Sequence, residues 1–239
     1  MGSFACIVGL YAAQQHSASR LPGRRSQANE AYDMILYSTS TSPNSVPVRI
    51  AVRFKGLDVD FEEPPGGLGS TKFHAINPVG TVPCLVLDDG FVMPESVAII
   101  DYLDEQFPDP PLMPVGARAR AEVRLLQRIA ELGIMNQGLE LQRLLQAGQR
   151  DDELVSSRLT RLLRGLSSAD LYLKPDMSFM GGVLTMADCH LAPALRLVRH
   201  ALQTADIADL LVTRPRLGAY LEQAENHALL GALLSDMTP

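Results

Sequence analysis

A proline-rich segment, PDPPLMPVG at residues 108–116, separates two parts of the chain that differ in their pattern of apolar residues. Proline interrupts helices and lacks the N–H that a central strand needs, so such a cluster indicates a linker. Before it, short strand-like runs alternate with helical repeats, and after it only helical repeats occur. The sequence therefore predicts an α/β domain at 34–107, a linker at 108–116 and an all-helical domain at 117–239.

The first part of the chain predicts the element order β-α-β-α-β-β-α. The predicted elements are a strand at 34–38, a helix at 46–55, a strand at 59–62, a short helix at 71–76, strands at 83–87 and 91–93, and a helix at 95–107. Val46, Ile50 and Phe54 recur at helical spacing, and Gly56 follows at a position where helices favour glycine. This order of elements is that of a thioredoxin-like domain.

The second part predicts helices throughout. A long helix is expected at 117–145 and another at 153–169. The apolar residues expected on one face of the long helix are Val123, Leu126, Ile129 and Leu132. Thr185 and Asp188 have the spacing of a capping box, which predicts the start of a helix that runs to residue 201, with two short helices after it.

The composition argues against several kinds of partner and site. A net charge of −6 does not suit a nucleic-acid partner, whose phosphates require basic patches. The isolated cysteines, Cys6, Cys84 and Cys189, predict no metal site and fit a reducing, cytoplasmic location, with the latter two in the core. The apolar run at 4–13 is too short to span a membrane, so no membrane association is expected. Residues 1–33 are expected to be an unstructured extension.

Three motifs together resemble the glutathione transferase family. They are NPVGTVPCL at 77–85, PESVAIIDYL at 94–103 and TMAD at 185–188. The resemblance covers residues 34–230 and is most specific for the zeta class. The zeta signature Ser-Ser-Cys-x-x-x-Val-Arg-Ile-Ala-Leu aligns without gaps with residues 42–52, where Asn44 replaces the cysteine. The Pro43-Asn44-Ser45 segment is more similar to bacterial β-etherase-type transferases, which cleave lignin ethers.

The resemblance implies which residues bind glutathione. Val82, before a cis Pro83, is expected to pair through its backbone with the cysteinyl part of the tripeptide. Ser96 is expected to N-cap a helix whose free N–H groups receive the γ-glutamyl carboxylate, and Glu95 to hold the α-amino group. Lys72 is a candidate for the glycine carboxylate. The alternatives are a turn proline, a plain helix cap and a solvated lysine.

The thiol and the electrophile require further residues. A free thiol has a pKa of about 8.5, and a helix N-terminus with hydroxyl donors lowers it. Ser42 is the first candidate for this role by the zeta alignment, followed by Ser45 and Asn44, although Ser45 also suits a helix N-cap. His200 aligns with a substrate-binding arginine of the zeta isomerases, and Arg196 is close to it in sequence. The alternative for both is surface charge near a helix end.

The predicted function is a glutathione transferase, with glutathione as co-substrate, that activates the thiolate for attack on a small electrophile. The alternatives are a zeta-type maleylacetoacetate or maleylpyruvate isomerase, a glutathione-dependent β-etherase or dehalogenase, and a transferase-like binding protein without catalysis. A homodimer is implied by the resemblance.

Overall fold

The computed structural model describes residues 33–148, 152–174 and 178–237. The predicted extension at 1–33 therefore lies outside the described residues, apart from Asp33. The first part of the chain forms β1 (Ile35–Tyr37), α1 (Val46–Phe54), β2 (Asp60–Glu62), α2 (Thr71–His74), β3 (Cys84–Val86), β4 (Val92–Pro94) and α3 (Ser96–Gln106). Every predicted element of this part is present, with bounds that differ by one or two residues.

The second part of the chain consists of helices joined by loops, with no strand in the described ranges. It forms α4 (Ala117–Arg128), a π-helical segment (Ile129–Met135), α5 (Asn136–Gln146), α6 (Asp152–Tyr172), a 3-10 turn (Phe179–Gly181), α7 (Met186–Thr204), α8 (Pro215–Asn226) and α9 (Ala228–Ser235). The predicted fold class, a thioredoxin-like domain followed by a helical domain, is confirmed. The domain boundaries at 107, 108 and 116 stay a prediction.

The described strands make one four-stranded sheet in the order β2-β1-β3-β4. β1 runs parallel to β2 and antiparallel to β3, which in turn pairs antiparallel with β4. Leu36 and Leu85 are register partners in the two central strands, and both side chains are fully buried. A parallel pair of strands needs a crossover connection. Helix α1 forms this connection and buries its apolar face. The antiparallel pairing places the start of β3 beside the end of β4, with Cys84 opposite Pro94.

The long helix predicted at 117–145 contains a π-helical segment in its middle. Val123 and Leu126 are fully buried, as the predicted face requires, but Leu132 is 47% exposed. The prediction was wrong for Leu132 because a step of three residues falls short of a full helical turn, so the repeated steps from Val123 bring Leu132 to the opposite side of the helix. The segment that contains Leu132 is also π-helical. Gly133 within the segment lies directly against Gly165 of α6, and a side chain on Gly165 would overlap the Gly133 backbone.

The start of α7 confirms the predicted capping box. The Asp188 carboxylate accepts hydrogen bonds from the Thr185 N–H at 2.7 Å and from the Thr185 hydroxyl at 3.0 Å. The Phe179 N–H and the Tyr220 hydroxyl donate to the same carboxylate at 2.9 and 2.8 Å. Burial raises the pKa of Asp188 to about 7, against the lowering effect of these donors. Asp188 thereby joins the start of α7 to the 3-10 turn and to α8.

Lys55, at the end of α1, holds the linker in place. Its Nζ donates to Asp104 Oδ1 at 2.8 Å, to the Phe107 carbonyl at 2.6 Å and to the Pro110 carbonyl at 2.9 Å. The lysine side chain has no exposed area, and Asp104 is only 10% exposed. Asp104 also accepts the N–H of Leu112, whose own carbonyl accepts the N–H at the start of α7. One buried cation therefore connects α1, α3, the linker and, through Leu112, the helical domain.

Within the part of the chain that the structure describes, none of the helices combines the length and the apolar character needed to cross a lipid bilayer.

Candidate functional site

A cavity of ≈ 190 Å³ lies where the sheet domain meets the helical domain. It receives side chains from the loop before α1, the turn before β3, the β4–α3 junction, the π-helical segment and the starts of α5 and α7. The lining residues are Asn44, Pro47, Thr81, Val82, Pro83, Glu95, Ser96, Glu131, Met135, Asn136 and His190. Five of the residues predicted from the sequence, Asn44, Val82, Pro83, Glu95 and Ser96, therefore lie around one cavity.

The Val82–Pro83 peptide bond is cis, as predicted from the sequence. The turn that precedes it is closed by the buried Asn77, whose amide donates to the Thr81 carbonyl at 2.8 Å and whose Oδ1 accepts the Val79 N–H at 3.1 Å. Gly80 has a φ of 74°, and a side chain there would overlap the ring of His74. The NPVGTVP motif thus builds a compact turn that presents Val82 to the cavity.

The junction between β4 and α3 has an unusual backbone at Glu95. Its φ is 77°, a value that non-glycine residues rarely adopt and that is held at a cost of about 1–3 kcal/mol, mostly at functional sites. Glu95 is the N-cap of α3, and Ser96 is its first helical residue, so the prediction that Ser96 caps the helix was wrong by one position. The difference arises because the chain turns sharply at Glu95, so that Ser96 already belongs to the helix. Both residues line the cavity.

His190 is a cavity residue that the local sequence pattern did not single out. It comes from the first turns of α7, is 2% exposed, and places Nε2 3.3 Å from Ser96 Oγ. Its Nδ1 lies 3.4 Å from the carbonyl oxygen of Met186. Burial, with a smaller contribution from Arg128, lowers the pKa of His190 to about 4, so the imidazole is neutral at pH 7. The sequence offered only a weak signal, a polar residue on the buried face of a capped helix.

Glu131, from the π-helical segment, is the second cavity residue that the sequence pattern did not single out. Burial raises the pKa of its carboxyl group, the Arg128 guanidinium opposes that rise from 2.7 Å, and Glu95 adds to it. Glu95 and Glu131 are therefore close enough to repel each other across the cavity. Two carboxylates that face the same cavity suit a cationic group such as an ammonium, which would relieve that repulsion.

The loop before α1 holds three residues predicted to contact the thiol, and they do not all line the cavity. Asn44 is exposed and lines the cavity, whereas Ser42 and Ser45 do not line it. Ser45 occupies the N-cap position of α1, but its hydroxyl makes no capping hydrogen bond. It is buried and has no hydrogen-bond partner within the described part of the chain. The Ser42 carbonyl accepts the N–H groups of Ser45 and Val46 at 3.0 and 3.1 Å and so forms the turn before the helix.

A second cavity of ≈ 190 Å³ contains the predicted electrophile-side residues. Its lining residues are Thr41, Pro43, Leu139, Gln142, Arg196, Leu197, His200 and Met237. Arg196 and His200 are both half-buried on α7, and Arg196 lies 3.5 Å from Glu225. This cavity meets the loop at Pro43, one residue before Asn44. Lys72, by contrast, is exposed on α2 and lines neither cavity.

Residues 36–111 match the family model described as "Glutathione S-transferase, N-terminal domain". Glutathione S-transferase 1 of Dianthus caryophyllus is 32% identical over 194 residues, which span 70% of this chain and 87% of that protein. The stringent starvation protein A homolog of Coxiella burnetii is 33% identical over 173 residues, which span 70% of this chain and 77% of that protein.

Among solved structures, the chain is similar to a maleylacetoacetate isomerase from Anaeromyxobacter dehalogenans with glutathione bound in its active site. The TM-score is 0.65 at 25% identity, and the match covers 87% of this chain and 98% of the isomerase.

Proposed function

The chain belongs to the glutathione S-transferase family, and we propose that it binds glutathione in the cavity between its domains and activates the thiolate for attack on a small electrophile. The observation that carries this proposal is the placement of cis Val82–Pro83, Glu95 and Ser96 around one cavity. The two pairs come from different turns of the sheet domain, and each pair suits a different part of the extended tripeptide.

The γ-glutamyl end of glutathione is assigned to the β4–α3 junction. The first N–H groups of α3 have no acceptor within the helix, so they favour the α-carboxylate. The α-amino group fits between Glu95 and Glu131, which together supply the negative charge that an ammonium needs. The cysteinyl backbone is assigned to Val82, where an extended peptide pairs with the chain as an added strand does. Lys72 remains a proposed contact for the glycine carboxylate at the outer end.

The thiolate is assigned to the loop before α1. The sequence alignment ranks Ser42 first, but Asn44 is the member of the proposed trio that lines the cavity, so we place it first as the hydrogen-bond donor. An amide N–H and the N-terminus of α1 both favour a negative sulfur. Ser45, at the N-terminus of α1, is the second candidate, because its buried hydroxyl has no hydrogen-bond partner among the residues that the structure describes.

The electrophile is assigned to the second cavity, because that cavity reaches the same loop through Pro43. Leu139, Leu197 and Met237 supply apolar surface, and Arg196 supplies a cation. This combination favours a small electrophile that carries a carboxylate. It also supports zeta-type cis–trans isomerisation of a maleyl dicarboxylate as the second candidate function, in line with the similarity to maleylacetoacetate isomerase.

The test has two stages. Calorimetric titration with glutathione measures binding, and turnover is then measured with a chlorinated nitroaromatic, maleylpyruvate and a β-aryl ether. Turnover of the nitroaromatic supports the transferase, and turnover of maleylpyruvate alone would replace it with the isomerase. Binding without turnover of any substrate would leave a binding protein, and absence of glutathione binding would refute the proposal as a whole.

Single alanine variants of the loop then identify the thiolate donor. Asn44→Ala should lower kcat about 100-fold, the scale of losing one donor to a developing charge, while glutathione binding persists. Ser42→Ala and Ser45→Ala serve as matched controls in the same loop. A larger effect of either serine variant would move the role from Asn44 to that serine.

We also propose, from family membership, a homodimer located in the cytoplasm. Light scattering of the purified protein measures the assembly directly, and a mass equal to one chain would contradict the dimer.

A further inference from the structure

A third cavity, of ≈ 140 Å³, lies between the C-terminal ends of α5 and α7, and the proposed function gives it no role. This distal cavity is lined by Gln142, Leu145 and Gln146 on the α5 side and by His200, Ala201, Thr204 and Ala205 on the α7 side. Gln142 and His200 also line the second cavity. The two cavities therefore adjoin at these two side chains.

The second and distal cavities follow one another along a single groove. The α5 side of the groove passes from Leu139 in the second cavity to Gln146 in the distal one. The α7 side passes from Arg196 through His200 to Thr204, one helical turn at each step. At 1.5 Å per residue, the distance along α7 from Arg196 to Thr204 is about 12 Å. The groove is therefore longer than either of its cavities.

Neither cavity alone has the size of an ordinary ligand pocket, which is about 300–1,000 Å³. The second cavity has ≈ 190 Å³, and the distal cavity has ≈ 140 Å³. Taken together, the two cavities reach the lower end of that range. The combined site consequently suits a longer molecule than the second cavity can hold by itself.

The two ends of the groove differ in charge. Arg196 in the second cavity favours a carboxylate. In the part of the chain that the structure describes, no Lys, Arg, Asp or Glu lines the distal cavity, where Leu145, Ala201 and Ala205 supply apolar surface. The last carbonyl groups of α5 and α7 carry partial negative charge at this end and disfavour an anion. An uncharged apolar group therefore suits the distal cavity best.

We propose that the second and distal cavities form one elongated electrophile site, which takes a substrate with a carboxylate near one end and an uncharged apolar arm of several carbons at the other. The inference rests on the proposed function, because the reactive carbon must lie in the second cavity, next to the loop that holds the thiolate. The carboxylate lies against Arg196, and the arm passes between Gln142 and His200. This substrate class differs from a maleyl dicarboxylate, which is short and charged at both ends.

The experiment uses unreactive ligands, so that it does not depend on turnover. N-methylsuccinamate and N-hexylsuccinamate share a carboxylate and an amide and differ only in the length of the arm. A third ligand carries a carboxylate in place of the terminal methyl group of the hexyl arm. Calorimetric Kd values are measured with the protein saturated with glutathione. The hexyl ligand should bind at least about tenfold more tightly than the methyl ligand, because each buried methylene favours binding. The third ligand should lose most of that gain.

Two variants fill the distal cavity from opposite sides. Ala205→Leu, at a half-buried residue, should reduce the difference between the hexyl and methyl ligands to less than about twofold. Gln146→Trp, at an exposed residue of the other wall, should do the same and is compatible with an unchanged core. Ala208→Leu is the matched control, because Ala208 is exposed and lines neither cavity. It should keep the difference of wild type.

Equal Kd values of the methyl and hexyl ligands in wild type would overturn the elongated site and leave the proposed function standing. A difference that both Ala205→Leu and Gln146→Trp leave unchanged would do so as well, because the arm would then bind elsewhere. Tightest binding of the ligand with two carboxylates would overturn the choice of an apolar arm. Failure of wild type to bind glutathione would overturn both the inference and the proposed function.

Discussion

Replacement of Lys55 by methionine should destabilise the protein more than any change to an exposed ion pair. The substitution keeps most of the aliphatic side chain and removes a cation that donates to Asp104 and to the carbonyls of Phe107 and Pro110. Of its donors in the described residues, Asp104, 10% exposed, would keep the Leu112 N–H alone. The change therefore leaves a buried carboxylate with one hydrogen bond where it had two.

Removal of one partner from a buried ion pair costs about 3–5 kcal/mol, mostly because the remaining charge is left without compensation. For a chain of this size each kcal/mol shifts the melting temperature by about 2–4 °C, so Lys55→Met should melt about 6–20 °C below wild type. Urea unfolding followed by far-ultraviolet circular dichroism measures the free energy, since the chain contains no tryptophan for fluorescence. The double variant Lys55→Met, Asp104→Asn should recover part of the loss, because it removes the stranded charge as well.

The pair Arg143–Glu140 is a matched control. Its N–O distance is 2.8 Å, the same as in the Lys55–Asp104 pair, but its side chains are 71% and 42% exposed. Arg143→Met should cost less than about 1 kcal/mol, because solvent screens an exposed pair. Similar losses for Lys55→Met and Arg143→Met would refute the argument that burial, rather than distance, determines the contribution of the linker contact.

Three further predictions concern stability. In the same urea assay, Gly165→Ala should lower the free energy of unfolding by about 1–3 kcal/mol, because the new methyl group would overlap the Gly133 backbone. Gly218→Ala should raise it by about 0.5–1 kcal/mol, because its nearest contact would be 3.7 Å away and alanine favours a helix over glycine. Destabilisation by both would contradict this. Tyr220→Phe removes a 2.8 Å hydrogen bond to the Asp188 carboxylate and should lower the free energy of unfolding by about 1.5–3 kcal/mol at pH 8, above the Asp188 pKa of about 7. An unchanged free energy would show that this bond contributes nothing. The pKa of His190 is about 4 in the folded protein and 6.5 in the unfolded chain, so its neutral form favours folding above pH 6.5. As the pH falls towards 4, the free energy of unfolding should drop by about 3 kcal/mol more in wild type than in His190→Gln. Parallel pH profiles of stability for the two proteins would refute this.

The features that follow from local chemistry could be predicted from the sequence. The cis Val82–Pro83 bond and the capping box of Thr185 and Asp188 are each formed within a few consecutive residues, and both are present. The cavity residues of the cis-proline turn and of the β4–α3 junction could therefore be predicted. The N-cap of α3 was misplaced by one residue, because the backbone at Glu95 takes a conformation that side-chain preferences disfavour.

The features that depend on contacts between distant segments could not be predicted. Nothing near Lys55 in sequence indicates that its ammonium lies against Asp104, and a basic residue at a helix end is ordinarily solvated. The contact of His190 with Ser96 likewise spans the two domains. The π-helical segment at 129–135 could not be predicted either, because apolar periodicity does not distinguish a π turn within an α-helix. The exposed Leu132 was a different kind of error, since steps of three residues drift around a helix and place it opposite Val123.

The π-helical segment determines which of its own residues face the cavity. A π turn holds more residues than an α turn, so deletion of one residue between Ile129 and Met135 would allow a regular helix, and Asn136 and Leu139 after it would keep their present faces. Glu131 and Met135 line the cavity from within the segment, and their positions would change. A single deletion here would therefore alter one wall of the cavity and leave the helices on either side in place, a route to new ligand preferences that point substitution does not provide.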